Sequence, residues 1–215
     1  MKNPIEIIRT HGLVPVIKLD SADSAVPLAS ALQEAGLPVA EITFRTEAAE
    51  ESIKRVAKEL PDVALGAGTV LKVEQVKRAV DAGAAFIVTP GFNPKVVEYC
   101  LEQNIPITPG VNNPTAVEQA LDFDLESLKF FPAEASGGIK MLKALGGPYG
   151  GVSFVPTGGV NANNLKEYLS LKNVAAVGGS WMVPSAQISA GEFDTIVKLT
   201  REALDIVRSV RGGNS

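Results

Sequence analysis

Lys129 stands in the run ESLKFFPAE, residues 126–134, among Leu128, Phe130 and Phe131 and three residues before Pro132. Lysine is seldom enclosed by apolar residues unless it is paired or employed. On a strand, Lys129 and Phe131 share one face, and Leu128 and Phe130 share the other. Cover on both faces would favour a neutral amine, and a neutral amine attacks carbonyl carbon. The competing reading of this segment alone is a strand-end lysine that snorkels to water.

A second chemical cluster is AEITFRTE, residues 40–47. Glu41, Thr43 and Arg45 share one parity, while Ile42 and Phe44 share the other. The apolar pair can face covering helices, leaving a carboxylate, a hydroxyl and a guanidinium in line on the inner face. A carboxylate inside a strand is costly unless paired or used. Glu41 could form a structural ion pair with Arg45 or Lys129. It could instead shuttle protons while Arg45 grips a substrate carboxylate with its planar fork. The two readings are compatible in the empty protein.

Five further stretches place small or hydroxyl residues at expected strand ends. GAGTV, residues 66–70, ends in Thr69, either a rim hydroxyl or a helix N-cap; Gly66 and Gly68 permit close approach. Thr89-Pro90-Gly91 and Thr108-Pro109-Gly110 read as sharp turns, with Pro90 offering a rigid pocket wall. PTGGV, residues 156–160, and GGSW, residues 178–181, carry paired glycines. Their backbone N–H groups can converge on phosphate oxygens, with Gly158, Gly159, Gly179 and Ser180 as donors. Tight turns are the alternative, and Trp181 reads as packing.

These residues need elements to position them. A leading helix, NPIEIIRT, precedes a strand at 13–19 and a helix at 21–36 with Ser21 as its N-cap and Gly36 as its stop. Further strands are expected at 38–44, 63–68, 85–90, 105–110, 126–131, 152–159 and 174–180, each followed by an amphipathic helix. Eight short apolar strands alternating with helices predict parallel β covered by helices. In a chain of 215 residues they predict one domain, 1–215, folded as a (β/α)8 TIM barrel with an N-terminal helix. An open doubly wound sheet competes, but no strand-turn GxGxxG is present. The barrel would place active residues at the C-terminal strand ends, where the stretches above fall. Paired glycines after strands seven and eight match that fold's recurrent phosphate site.

Composition narrows the chemistry. The chain is 46% hydrophobic with a net charge of −4, and it has no basic block, which argues against nucleic acid. No apolar run reaches membrane-spanning length, and the N-terminus lacks a signal-peptide core. A single cysteine, Cys100, fits a reducing cytoplasm and reads as a packed thiol. A single histidine, His11, removes multi-histidine metal sites and leaves acid–base work to carboxylate, lysine or tyrosine.

AEITFRTE, GAGTV, LKFFPAE, PTGGV and GGSW, in this order and near these spacings, resemble the 2-keto-3-deoxy-6-phosphogluconate (KDPG) aldolase family. That family includes 4-hydroxy-2-oxoglutarate aldolases. The likeness runs from about Val14 to the C-terminal helix. It implies a class I aldolase needing no metal or other cofactor, on a (β/α)8 barrel, assembled as a homotrimer. By this resemblance Lys129 matches the Schiff-base lysine and Glu41 the acid–base glutamate. Arg45 and Thr69 match binders of the pyruvate carboxylate, and Phe131 the aromatic beside the imine. Thr157 matches a substrate-contacting threonine, and Gly158, Gly159, Gly179 and Ser180 the phosphate end. The implied partner is a small phosphorylated 2-keto acid. Thr89, Val111-Asn112-Asn113 and Ser136 depart from the family pattern in loops that border the pocket, which bears on substrate scope. The alternatives are 4-hydroxy-2-oxoglutarate cleavage or oxaloacetate decarboxylation through the same lysine, a phosphosugar isomerase or epimerase, and a phosphate-binding barrel with no catalysis.

Overall fold

The computed structural model describes residues 4–212. Strand and helix alternate from the first turn. Helix α1 (Pro4–His11) leads into β1 (Leu13–Ile17), α2 (Ala25–Glu34), β2 (Val39–Thr43), α3 (Ala48–Glu59) and β3 (Ala64–Gly68). Next come α4 (Val73–Asp81), β4 (Phe86–Val88), α5 (Pro94–Glu102), β5 (Ile107–Thr108), β6 (Gly110–Val111) and α6 (Pro114–Leu121). The chain ends with β7 (Ser127–Phe130), α7 (Gly138–Leu145), β8 (Ser153–Pro156), α8 (Leu165–Leu169), β9 (Val177–Gly179), α9 (Ser185–Ala190) and α10 (Phe193–Arg211).

All ladders are parallel. One sheet has the order β5-β4-β3-β2-β1-β9 and the other β6-β7-β8. This is an α/β fold with a curled parallel sheet. Chain continuity through Pro109 joins the two sheets at one side. At the other, single bridges pair Phe154 with Val174 and Thr157 with Gly178. The break between β5 and β6 falls at Pro109, which has no N–H to give a ladder. The expected fifth strand is therefore two short pieces rather than one run.

The helices follow their apolar stripes. In α3 the buried positions Ala49, Ser52, Ile53 and Val56 recur at helical spacing. Helices α5 and α6 each start with proline at the first turn, behind Asn93 and Asn113. Those carboxamides accept from the amides of Lys95 and Ala116. Several strands are shorter than expected, with β1 ending at Ile17, β4 at Val88 and β8 at Pro156, and two further boundaries differ. Ser21 caps a short 3-10 turn, Ala22–Ser24, and the α-helix proper begins at Ala25. The last strand is confined to Val177–Gly179.

Strand parity holds around the site. Phe44 faces out, under the Arg78 guanidinium of α4 at 5.8 Å. Phe130 packs edge-on against Phe154, centroids 6.3 Å apart, on the outer face of β7 and β8. Phe86 turns inward over Gly66, where a Cβ would come within 2.2 Å of its ring. One contiguous hydrophobic core runs through the strands and the inner helix faces. Cys100 lies in it, and burial pushes its thiol up to about 11, which suits an inert packed thiol.

Candidate active site

Glu41 sits in the middle of β2, opposite Val16 of β1 and Gly66 of β3. Lys129 sits in β7, opposite Gly110 of β6 and Val155 of β8. The curl of the strands carries both side chains to one interior cavity, which Thr108, Ser127, Val155 and Thr157 also line. There Nζ of Lys129 donates to Oε1 of Glu41 at 3.3 Å. The two side chains are 7% and 3% exposed, so neither snorkels to water. The alternative pair of Glu41 with Arg45 does not form.

Space for the carboxylate comes from β3. A Cβ on Gly68 would lie 2.1 Å from Oε1 of Glu41. The Phe131 ring stands 5.3 Å from Nζ, measured to its centroid, within cation–π range of a charged amine or an iminium. The cavity is small, with about 20 Å³ open to the centre of a water-sized body, enough for about one water.

Arg45, the group expected to grip a substrate carboxylate, is held apart from this pair. Arg45 lies beyond the end of β2 and is exposed. Its Nε donates to Thr43 Oγ1 at 3.0 Å, and that hydroxyl donates to the Ile17 carbonyl at 2.7 Å. One edge of the guanidinium is thereby fixed, and its terminal nitrogens have no acceptor among the described residues. Thr43, which parity placed on the inner face without a role, thus holds the Arg45 side chain. Thr69 is half-buried with φ 57°, a left-handed conformation in which a β-branched residue is an outlier. It is no helix cap, because α4 starts four residues later behind Lys72. Strain of this kind gathers at ligand sites.

Pro90 is half-buried at the end of β4, and a Cβ on Gly110 would come within 2.2 Å of its carbonyl oxygen. Close packing of two strand ends thus uses both turns. Thr157 is buried beside Gly178, where a Cβ would lie 2.3 Å from its hydroxyl. Gly158 and Gly159 have φ of 100° and 84°. The Thr157–Gly178 bridge turns the Gly158 amide toward β9, and the amides of Gly159 and Ser180 make no backbone hydrogen bond among the described residues. Gly179 accommodates Trp181, whose ring would meet a Cβ at 1.8 Å, so Trp181 packs as expected.

Sequence reasoning gave no role to four residues around the glycine turn: Glu134, Asn161, Asn164 and Tyr168. Glu134 was visible only as the end of LKFFPAE, and the asparagines only as the NANN run after PTGGV. Among the described residues no group of three or more His, Cys, Asp or Glu is placed to hold a metal ion. No described helix is long and apolar enough to cross a membrane.

A buried lysine in contact with a carboxylate, inside parallel strands whose ends carry a free guanidinium and open amides, has the parts of an imine-forming lyase. The family model for KDPG and KHG aldolase matches residues 5–199, and the chain belongs to that family. It is 52% identical to the 2-dehydro-3-deoxy-phosphogluconate aldolase of Haemophilus influenzae, over 95% of this chain and 96% of that one. Its fold matches the KDPG aldolase of Legionella pneumophila, solved with pyruvate captured as a covalent carbinolamine, with TM-score 0.91 and 38% identity. That match covers 93% of this chain and 97% of the other. It also matches the 2-keto-3-deoxy-6-phosphogluconate aldolase of Zymomonas mobilis, solved with 3-phosphoglycerate. There the TM-score is 0.90 and the identity 36%, over 98% and 99% of the two chains.

Proposed function

We propose that this protein is a class I aldolase that cleaves 2-keto-3-deoxy-6-phosphogluconate to pyruvate and D-glyceraldehyde 3-phosphate, with Lys129 forming the imine. The observation that carries this reading is the buried contact of 3.3 Å between Lys129 Nζ and Glu41 Oε1. A proton passed from the ammonium to the carboxylate leaves a neutral amine with a carboxylic acid beside it, and the acid becomes a base once it has given that proton up.

Each step uses a named group. The Lys129 nitrogen adds to C2 of the keto acid, and the carbinolamine loses its hydroxyl as water with a proton from Glu41. The iminium that results draws electrons from the C3–C4 bond. The Glu41 carboxylate removes the C4 hydroxyl proton as that bond breaks, the aldehyde leaves, and an enamine remains. Protonation at C3 and hydrolysis release pyruvate and regenerate the amine. No metal or other cofactor has a role in this sequence, since the iminium is itself the electron sink.

Arg45 and Thr69 bind the substrate carboxylate, the first through its unpaired fork. Phe131 lies against the imine, Pro90 walls the pocket and Thr157 contacts the substrate chain. The amides of Gly158, Gly159 and Ser180, with Gly179, receive the phosphate. Anchors at both ends hold the scissile bond over Lys129 and Glu41. This reading extends to the whole architecture: residues 1–215 as one (β/α)8 barrel, closed by the Thr157–Gly178 bridge and by the run through Pro109. It also includes a homotrimeric assembly in the cytoplasm.

Two measurements test it. Pyruvate with borohydride should add mass at Lys129, and absence of that adduct in folded protein would remove the imine. Pyruvate release should be much faster from the phosphorylated sugar acid than from its dephosphorylated counterpart. Equal turnover would favour 4-hydroxy-2-oxoglutarate cleavage by the same lysine.

A further inference from the structure

The turn at Gly158 and Gly159 is held from behind. Thr157 O accepts from the Ala133 amide at 2.8 Å, and Gly158 O accepts from the Glu134 amide at 3.0 Å. In an extended strand two successive carbonyls would point to opposite sides. Here they point to the same side, because Gly158 adopts a left-handed conformation. In a trans peptide the N–H lies opposite the C=O. The amides of Gly158 and Gly159 are therefore both turned away from the loop after β7. Strand β8 stands between β7 and β9, so these N–H groups face the β9 side, where Ser180 lies.

Two side-chain devices hold this arrangement. The carbonyl of Gly159 accepts from the carboxamides of Asn161 and Asn164, each at 3.3 Å. Asn164 Oδ1 in turn accepts from the Asn161 amide at 2.8 Å. On the other flank the Glu134 side chain packs against Gly159, where a Cβ would meet its Cγ at 2.5 Å. The Glu134 carboxylate accepts from the hydroxyl of Tyr168, whose side chain is wholly buried in α8. Tyr168 thus ties the loop after the lysine strand to the helix after the glycine turn. Burial, and then the Glu134 carboxylate, push the phenol well above the usual tyrosine range, so it remains a donor. The acid is drawn toward α8 and away from the amides.

We infer that Tyr168 acting through Glu134, together with Asn161 and Asn164, are positioning residues that fix the glycine amides for recognition of the substrate's phosphate. This rests on the phosphate reading given above. None of the four touches the reacting carbons, so their loss should separate binding of the phosphorylated end from chemistry at Lys129.

The test is steady-state kinetics of the full chain on the phosphorylated 2-keto acid and on its dephosphorylated counterpart. Wild type, Tyr168→Phe, Asn164→Ala and Glu134→Gln are compared, with borohydride trapping of pyruvate as a phosphate-independent measure of an intact Lys129 site. Tyr168→Phe and Asn164→Ala should each raise KM for the phosphorylated substrate about tenfold, the size expected for a weakened charge-assisted hydrogen bond. Their kcat/KM on the dephosphorylated acid and their trapping should stay at the wild-type level. Glu134→Gln keeps an acceptor for Tyr168 and the packing on Gly159, and should raise KM for the phosphorylated substrate less than Tyr168→Phe does. Equal losses on both substrates, or an unchanged preference in both variants, overturn the proposal. If Tyr168→Phe fails to trap pyruvate, Asn164→Ala, at a half-buried turn position, decides alone. A wild type that does not distinguish the two acids overturns the phosphate reading itself, and this inference with it.

Discussion

Gly68 and Glu41 share one space: a Cβ on the glycine would lie 2.1 Å from the carboxylate oxygen that meets Lys129. The two residues are on neighbouring strands, with Gly68 paired to Thr43, two residues beyond Glu41. The missing side chain is thus a part of the site, as the carboxylate is. Gly68 is not among the positive-φ glycines, so alanine there meets a steric problem only.

Gly68→Ala should therefore displace the Glu41 carboxylate without rebuilding the backbone. A misplacement of about 1 Å in a catalytic group costs roughly 10²-fold in rate. The expected outcome is a fall of that size in kcat for pyruvate release, with cooperative unfolding retained. Wild-type kcat in this variant would show that the carboxylate has no positional role.

The Lys129–Glu41 pair makes opposite demands on stability and activity. Lys129→Met should abolish the pyruvate–borohydride adduct and reduce turnover to background. It should also destabilise the fold by about 3–5 kcal/mol, because it leaves a buried carboxylate without its partner. Lys129→Met combined with Glu41→Leu removes both charges and should recover much of that loss while remaining inactive. Denaturant unfolding of the single and double variants checks this.

Thr69 holds a left-handed backbone that its branched side chain disfavours. Such strain is of order 1–3 kcal/mol. Asparagine tolerates this region better, so Thr69→Asn should raise stability by about 1 kcal/mol while raising KM for the keto acid. A thermal melt and a substrate titration on one preparation read the two effects. A rise in activity with stability would mean that the strain does not serve the site.

The chain's one histidine gives a pH signature. Partial burial holds His11 below its ordinary value near 6.5, so the folded state favours the neutral ring. Between that ordinary value and the lower folded one, the unfolded chain binds more protons. This contribution to stability is present above about pH 6.5 and is lost as pH falls. His11→Gln should flatten the stability profile from pH 7 to pH 5, measured by urea unfolding. An unchanged slope would assign the acid sensitivity to other groups.

How much of this was legible differs by residue. Lys129 was conspicuous because a charge amid Leu128, Phe130 and Phe131 has few innocent explanations, and Glu41 because parity put it on the inner face of a strand. The contact between them was not legible. They are 88 positions apart, and sequence parity offered Arg45 as an equally good partner. Pro109 was read as a turn, yet its lost amide also divides a strand.

By itself the sequence determined the alternation of apolar strand and amphipathic helix, the inward parity of Glu41 and Lys129, and the strand-end placement of the glycine pairs. These depend on local periodicity and backbone permissiveness, which each segment carries alone. Tertiary structure alone decided that Glu41 meets Lys129 and leaves the Arg45 fork open, and that Gly68 houses a carboxylate. It also decided that Tyr168 and the asparagines brace the turn at Gly158 and Gly159. Those relationships arise from strand register and the curl of the sheet, which are fixed only when distant segments pack together.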